Sequence, residues 1–135
     1  MDLIEYAKVN LSEAINSPLL PEKARKDLEG SGETLLTIYS KKSKTLKFIP
    51  TNDDIIWWIN VAIDSFSPET SGKMLIELNK HVNEFLYSTG VCVSKSECFW
   101  DGIVQESSLK ASKEAIIKSI EEIPSVSQVS IKVID

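Results

Sequence analysis

The amino-acid sequence predicts an α+β fold in two parts. A βαββαβ unit spans about 55–135, and an N-terminal helix and β-hairpin segment spans about 1–50. Three observations carry this expectation. The apolar run from Ile55 to Ile63 is the strongest strand signal in the chain. Two stretches of helical spacing follow it, and each leads into strand-like sequence. The turn cluster Pro50-Thr51-Asn52-Asp53-Asp54 separates this part from everything upstream.

Taken in order, residues 2–15 carry Leu3, Ile4, Ala7, Leu11, Ala14 and Ile15 at helical spacing, with Tyr6–Leu11 as a rival short strand. Asn16-Ser17-Pro18 stops either one. Pro21-Glu22-Lys23 opens a short helix running to about Glu29, because proline and an acid both suit a first turn; Gly30-Ser31-Gly32 ends it. Glu33–Tyr39 and Leu46–Pro50 read as a hairpin around the Lys-rich loop Ser40–Thr45. Ile55–Asp64 has one fully apolar face and one half-apolar face, which places it centrally in a sheet.

Ser67-Pro68 breaks that strand, and Glu69–Tyr87 follows as a helix with Leu75, Leu78, Val82 and Phe85 on its apolar stripe. Lys73/Glu77 and Lys80/Glu84 sit at i,i+4 on the wet side, and Gly90 is the expected stop. Val91–Phe99 is a strand. Asp101-Gly102 signals a hairpin turn before Ile103–Glu106. Ser107, Ser108 and Ser112 offer caps for a helix reaching Glu122, with Ala115, Ile116, Ile120 and Ile123 inward. After Pro124, Ser127–Ile134 alternates Val129, Ile131 and Val133. The order strand, helix, strand, strand, helix, strand is the ferredoxin-like arrangement.

Composition bounds the function. The chain has 135 residues, 42% hydrophobic and 26% charged, with a net charge of −5. Residues 1–50 hold eight Lys/Arg against seven Asp/Glu, whereas 51–135 hold seven against thirteen, so the C-terminal part is a poor match for a phosphate backbone. Arg25 is the single arginine, which is little for reading bases. No apolar run approaches a membrane span, and the acidic start Met1-Asp2-Leu3-Ile4-Glu5 lacks the basic region of a signal peptide. We therefore expect a soluble, cytoplasmic protein with no membrane partner.

Cys92 and Cys98 with one His make no metal set. On a single strand they stand roughly 20 Å apart, too far to bridge, so we expect reduced, partly buried thiols. A tight turn at Lys95 would instead bring them opposite each other.

The best site candidate is the loop Asp64-Ser65-Phe66-Ser67-Pro68-Glu69-Thr70-Ser71-Gly72-Lys73, which joins a central strand to a helix. Free N–H groups at a helix start attract carboxylates and phosphates, and Gly72 leaves the backbone bare for close approach. Asp64, Ser65, Ser71, Gly72 and Lys73 are the expected ligand-binding residues; the alternative is that Ser and Thr here only cap the helix. Lys41, Lys42, Lys44 and Lys47 gather at a hairpin tip, as an edge guard before a phosphate patch. His81 reads as structural, and Trp57, Trp58 and Trp100 as core or dimer interface.

Residues of about 56–135 resemble the ACT domain, a small regulatory βαββαβ module. The resemblance rests on the strand leading to Asp64…Gly72-Lys73-Met74-Leu75, on Gly90-Val91, and on Ile123-Pro124-Ser125-Val126-Ser127-Gln128-Val129. Pro68 stands four residues ahead of Gly72, where that family usually has Pro directly before the Gly. Upstream, Leu20-Pro21-Glu22-Lys23-Ala24-Arg25-Lys26-Asp27-Leu28 and Gly32-Glu33-Thr34-Leu35-Leu36 resemble the AbrB type of swapped-hairpin DNA-binding module, with Lys23, Arg25 and Lys26 matching its basic residues. These resemblances imply a non-enzymatic, small-molecule-sensing transcriptional regulator. It would be a homodimer that binds an amino acid or other small anion and contacts DNA through the upstream segment. No paired carboxylates, nucleophile–base motif or phosphate loop suggests an enzyme, and no cofactor is expected. The alternative is a dimeric protein–protein interaction module that binds neither ligand nor DNA.

Overall fold

A computed structural model describes residues 3–64 and 66–135. The chain runs β1 (Ile4–Asn10), α1 (Leu11–Ala14), α2 (Glu22–Leu28), β2 (Thr34–Ser40), β3 (Thr45–Thr51), β4 (Ile56–Ile63), α3 (Pro68–His81), β5 (Tyr87–Ser94), β6 (Glu97–Gln105), α4 (Lys113–Glu121) and β7 (Val126–Val133), with a short 3₁₀ turn at Glu106–Ser108. It is a mixed α+β protein with two antiparallel sheets, ordered β1-β2-β3 and β5-β6-β4-β7. These belong to two compact units: Met1–Ile55 with Ile134–Asp135, and Ile56–Val133.

In the first unit, β1 replaces the expected N-terminal helix. Ile4 through Asn10 pair residue by residue with Ser40 through Thr34 of β2, so cross-strand pairing wins over a weak helical period. Asn10 then caps the single turn α1 through its side-chain oxygen on the Ser12 N–H at 2.9 Å. β2 is the central strand, and Leu35, Leu36 and Ile38 are all buried. The α2 helix ends into Gly30, whose φ of 72° only glycine adopts without strain.

In the second unit, β4 lies between β6 and β7, as its two apolar faces require. Ile59, Val61 and Ile63 form the core with Met74 and Leu78 of α3, Ile116 and Ile120 of α4, and Trp100 and Val104 of β6. The α3 helix presents Thr70, Met74 and Leu78 inward, whereas Leu75 and Ile76 are 50% and 60% exposed. It stops at His81, and Val82 already has extended backbone and bridges Leu109. The expected stripe through Leu75 and the stop at Gly90 are thus corrected; Gly90 lies inside β5. The wet-side ion pairs shift as well, to Lys73–Glu69 at 3.1 Å and Lys80–Glu77 at 2.9 Å.

The hairpin turn is at Lys95-Ser96, and Asp101-Gly102 lies mid-strand in β6. Glycine is needed there for packing. The Trp100 ring bends over Gly102 to meet Phe85 edge-on at 5.5 Å, and a Cβ at position 102 would lie 2.9 Å from Phe85 Cε1. With the turn at Lys95-Ser96, Cys92 and Cys98 are directly opposite and joined by a disulfide, which corrects the expectation of free thiols. Of the caps offered to α4, Ser112 is the one used, on the Ala115 N–H at 3.2 Å. Among the described residues, no helix is long and apolar enough to cross a membrane.

Candidate functional site

The loop between β4 and α3 leaves the end of the central strand, next to a register shift between Ala62 and Ile63 in the pairing with β7. Bulges of this kind recur beside functional sites, where they re-aim the chain. Asp64 is exposed, and its N–H donates to the Ser125 carbonyl at 2.9 Å, closing the loop onto the turn between α4 and β7. Ser125 takes a φ of 78° in that turn. Ser65, one of the expected ligand residues, lies outside the described residues.

Ser67 caps α3. Its Oγ accepts from the Thr70 N–H at 3.1 Å, and its carbonyl accepts from the Ser71 N–H at 2.9 Å. Pro68 occupies the first turn and has no N–H to offer. Ser71, Gly72 and Lys73 are inside the helix, so their N–H groups serve its own ladder rather than a ligand. A Cβ at Gly72 would meet nothing within 4 Å. Lys73 reaches the surface, where its ammonium pairs with Glu69.

A groove of about 290 Å³ opens between α3 and α4, lined by Lys73, Ile76, Glu77, Ser119, Glu122, Ile123 and Pro124. One end of it is the α4–β7 turn that holds Asp64. Within it, Glu77 accepts from Ser119 Oγ at 2.6 Å and from Lys80 Nζ at 2.9 Å. The Ser119 hydrogen bond, then the Lys80 one, hold the Glu77 carboxyl below its ordinary value of 4.5, with the charges of Lys80 and His81 adding to them. Sequence reading missed Glu77 and Ser119 because they are 42 residues apart and neither falls in a recognisable motif.

On the opposite face of the sheet, Trp58 Nε1 and Asn60 Nδ2 both donate to Asp101 Oδ1, at 2.8 and 2.7 Å. Trp100 is core, and Trp57 lies at the core margin with the Lys113 ammonium 4.5 Å over its ring. His81 ends α3, and its carbonyl accepts from the Lys110 N–H at 2.8 Å.

The basic residues of α2 separate. Lys23 and Lys26 are exposed, with Lys26 3.6 Å from Glu22, while Arg25 turns inward and its Nε is buried without a partner among the described residues. Of the loop lysines, Lys41 pairs with Glu5 at 3.0 Å. Among the described residues no group of His, Cys, Asp and Glu is placed to hold a metal. Neither a scan with protein-family models nor a search of curated proteins finds a match for this chain.

Proposed function

We propose that the second unit is a ferredoxin-like, ACT-like regulatory module that binds a small zwitterion or anion, an amino acid above all, without catalysing a reaction. Its support in fold is the element order β4-α3-β5-β6-α4-β7 with strands arranged β5-β6-β4-β7, all antiparallel. The observation that carries the functional reading is the Asp64–Ser125 hydrogen bond. It ties the β4–α3 loop to the α4–β7 turn, whose Glu122, Ile123 and Pro124 line the α3–α4 groove together with Lys73 and Glu77. Asp64 and Glu77 suit an ammonium group, and Lys73 suits a carboxylate. The protein acts as a homodimer in this reading, and ligand binding is transmitted through the dimer.

The test is a thermal-shift screen of the full chain against amino acids and nucleotides. A ligand at a hundredfold over its Kd stabilises the fold by about 2.7 kcal/mol. The expected result is a shift with one amino acid, abolished in the double variant Asp64→Ala/Lys73→Ala. If no compound shifts the wild type, or the double variant shifts equally, the module is an interaction domain without a ligand.

A further inference from the structure

We propose that the Cys92–Cys98 disulfide is a reducible clasp that sets the position of the β4–α3 loop, acting through Phe66. Cys92 lies on the edge strand β5 and is exposed, while Cys98 is 2% exposed in the core. The pair closes the tip of the β5–β6 hairpin, beside a register shift between Cys92 and Ser94. Two residues back along β5, on the same face as Cys92, stands Gly90. The Phe66 ring of the β4–α3 loop packs directly on it: a Cβ at Gly90 would lie 2.9 Å from Phe66 Cζ and 3.1 Å from Cε2. Phe66 otherwise packs at the margin of the core. The seat of the loop's one aromatic residue is therefore a bare strand position, two residues from a covalent cross-link.

An edge strand is held on one side only, and β5 carries no charged residue or proline to fix its register. The cross-link supplies that fix. Reduction by a dithiol removes it. One thiolate of the dithiol attacks the exposed Cys92 sulfur, the bond to Cys98 breaks, and Cys98 leaves and takes up a proton. The second thiol of the reductant then displaces Cys92, which also leaves as a thiol. Two electrons and two protons pass to the cysteine pair, and the dithiol becomes a cyclic disulfide. The tip of β5 is then free to slip, and the floor under Phe66 moves with it. This rests on the loop being the ligand-binding element only for its consequence; the movement itself needs no ligand to be measured.

The experiment is hydrogen exchange on the full chain, oxidised, reduced with dithiothreitol, and reoxidised, with alkylation and mass measurement counting the thiols. The Asp64 amide, bonded to Ser125, reports the loop, and the amides of Met74 and Leu78 report the core. The expected result is a blocked cysteine pair in the oxidised protein and Asp64 exchange on the order of tenfold faster after reduction, with α3 protection kept and the effect reversed on reoxidation. Gly90→Val, which unseats Phe66 with the disulfide intact, should give fast Asp64 exchange in the oxidised protein and little further change on reduction. Two free thiols under oxidising conditions, equal Asp64 exchange in both redox states, loss of α3 protection on reduction, or full redox sensitivity in Gly90→Val would each overturn the proposal. A failed ligand screen would not.

Discussion

Gly102 and Glu77 show how far single residues set the second unit. Gly102 is opposite Ile59 and Ser88 in the sheet, where a β-branched residue would ordinarily be favoured. The Trp100 and Phe85 rings occupy the space a side chain needs, with Trp100 Cζ3 only 2.7 Å from a Cβ built at that position. Gly102→Ala should therefore cost about 1–3 kcal/mol by overpacking, read as a lower urea midpoint with a changed near-UV aromatic signal. An unchanged midpoint would mean that the Trp100 ring has another place to go. Glu77 gives a pH dependence of defined sign. Its carboxyl is held below 4.5 in the folded chain, so its contribution is complete above that value, where the unfolded chain is also ionised. As pH falls below about 4.5 the unfolded chain takes up its proton first, and the contribution fades until pH passes below the folded value. The gap in urea midpoint between wild type and Ser119→Ala should be widest near neutrality and close in acid; a gap independent of pH would mean that Ser119 acts by packing alone.

At the scale of elements, α3 carries a glycine in its second turn that its packing does not require. Space for a Cβ at Gly72 is open and the backbone is helical, so Gly72→Ala should raise stability by about 0.5–1 kcal/mol through helix propensity. A loss in the same urea titration would mean that the folded backbone at Gly72 does not accept a Cβ despite the open space there. Strands and helices with a strong period were legible in the sequence. The two-faced run of β4, the Pro-initiated α2 and the β2–β3 hairpin all form close to where the residues place them. The N-terminal strand was legible only as the rival reading of Tyr6–Leu11, because Ile4, Tyr6 and Ala7 owe their conformation to β2, and no local pattern records a partner thirty residues away. The hairpin turn was misplaced because Asp-Gly is a strong turn pair in isolation, whereas here Gly102 serves a tryptophan and Asp101 receives two cross-strand hydrogen bonds. Moving that turn also decided the chemistry of the cysteines. Of the candidate site, Asp64 and Lys73 were legible as loop and helix-start residues. Glu77 and Ser119 were not, since two helices had to be packed before they met.

At the scale of the whole molecule, Ile134 and Asp135 lie with β1 in the first unit. The first unit runs to Ile55 and the second begins at Ile56, but the last two residues cluster with the first unit rather than with β7, which leads into them. Ile134 is 4% exposed, and the Asp135 carbonyl accepts from the Lys8 N–H at 3.1 Å. The first unit thus consists of two pieces of chain, with 78 residues of the second unit between them. Burial of one isoleucine side chain is worth about 1.5–3 kcal/mol, a large share for a unit whose sheet has three strands. Deleting Ile134 and Asp135 should therefore weaken the first unit selectively. Hydrogen exchange is the direct measurement: amides of β1 and β2 should lose protection, while those of β4 and β6 should keep theirs. Equal loss in β4 and β6 would overturn the assignment of Ile134 to the first unit, and unchanged exchange in β1 would mean that its pairing with β2 alone holds it.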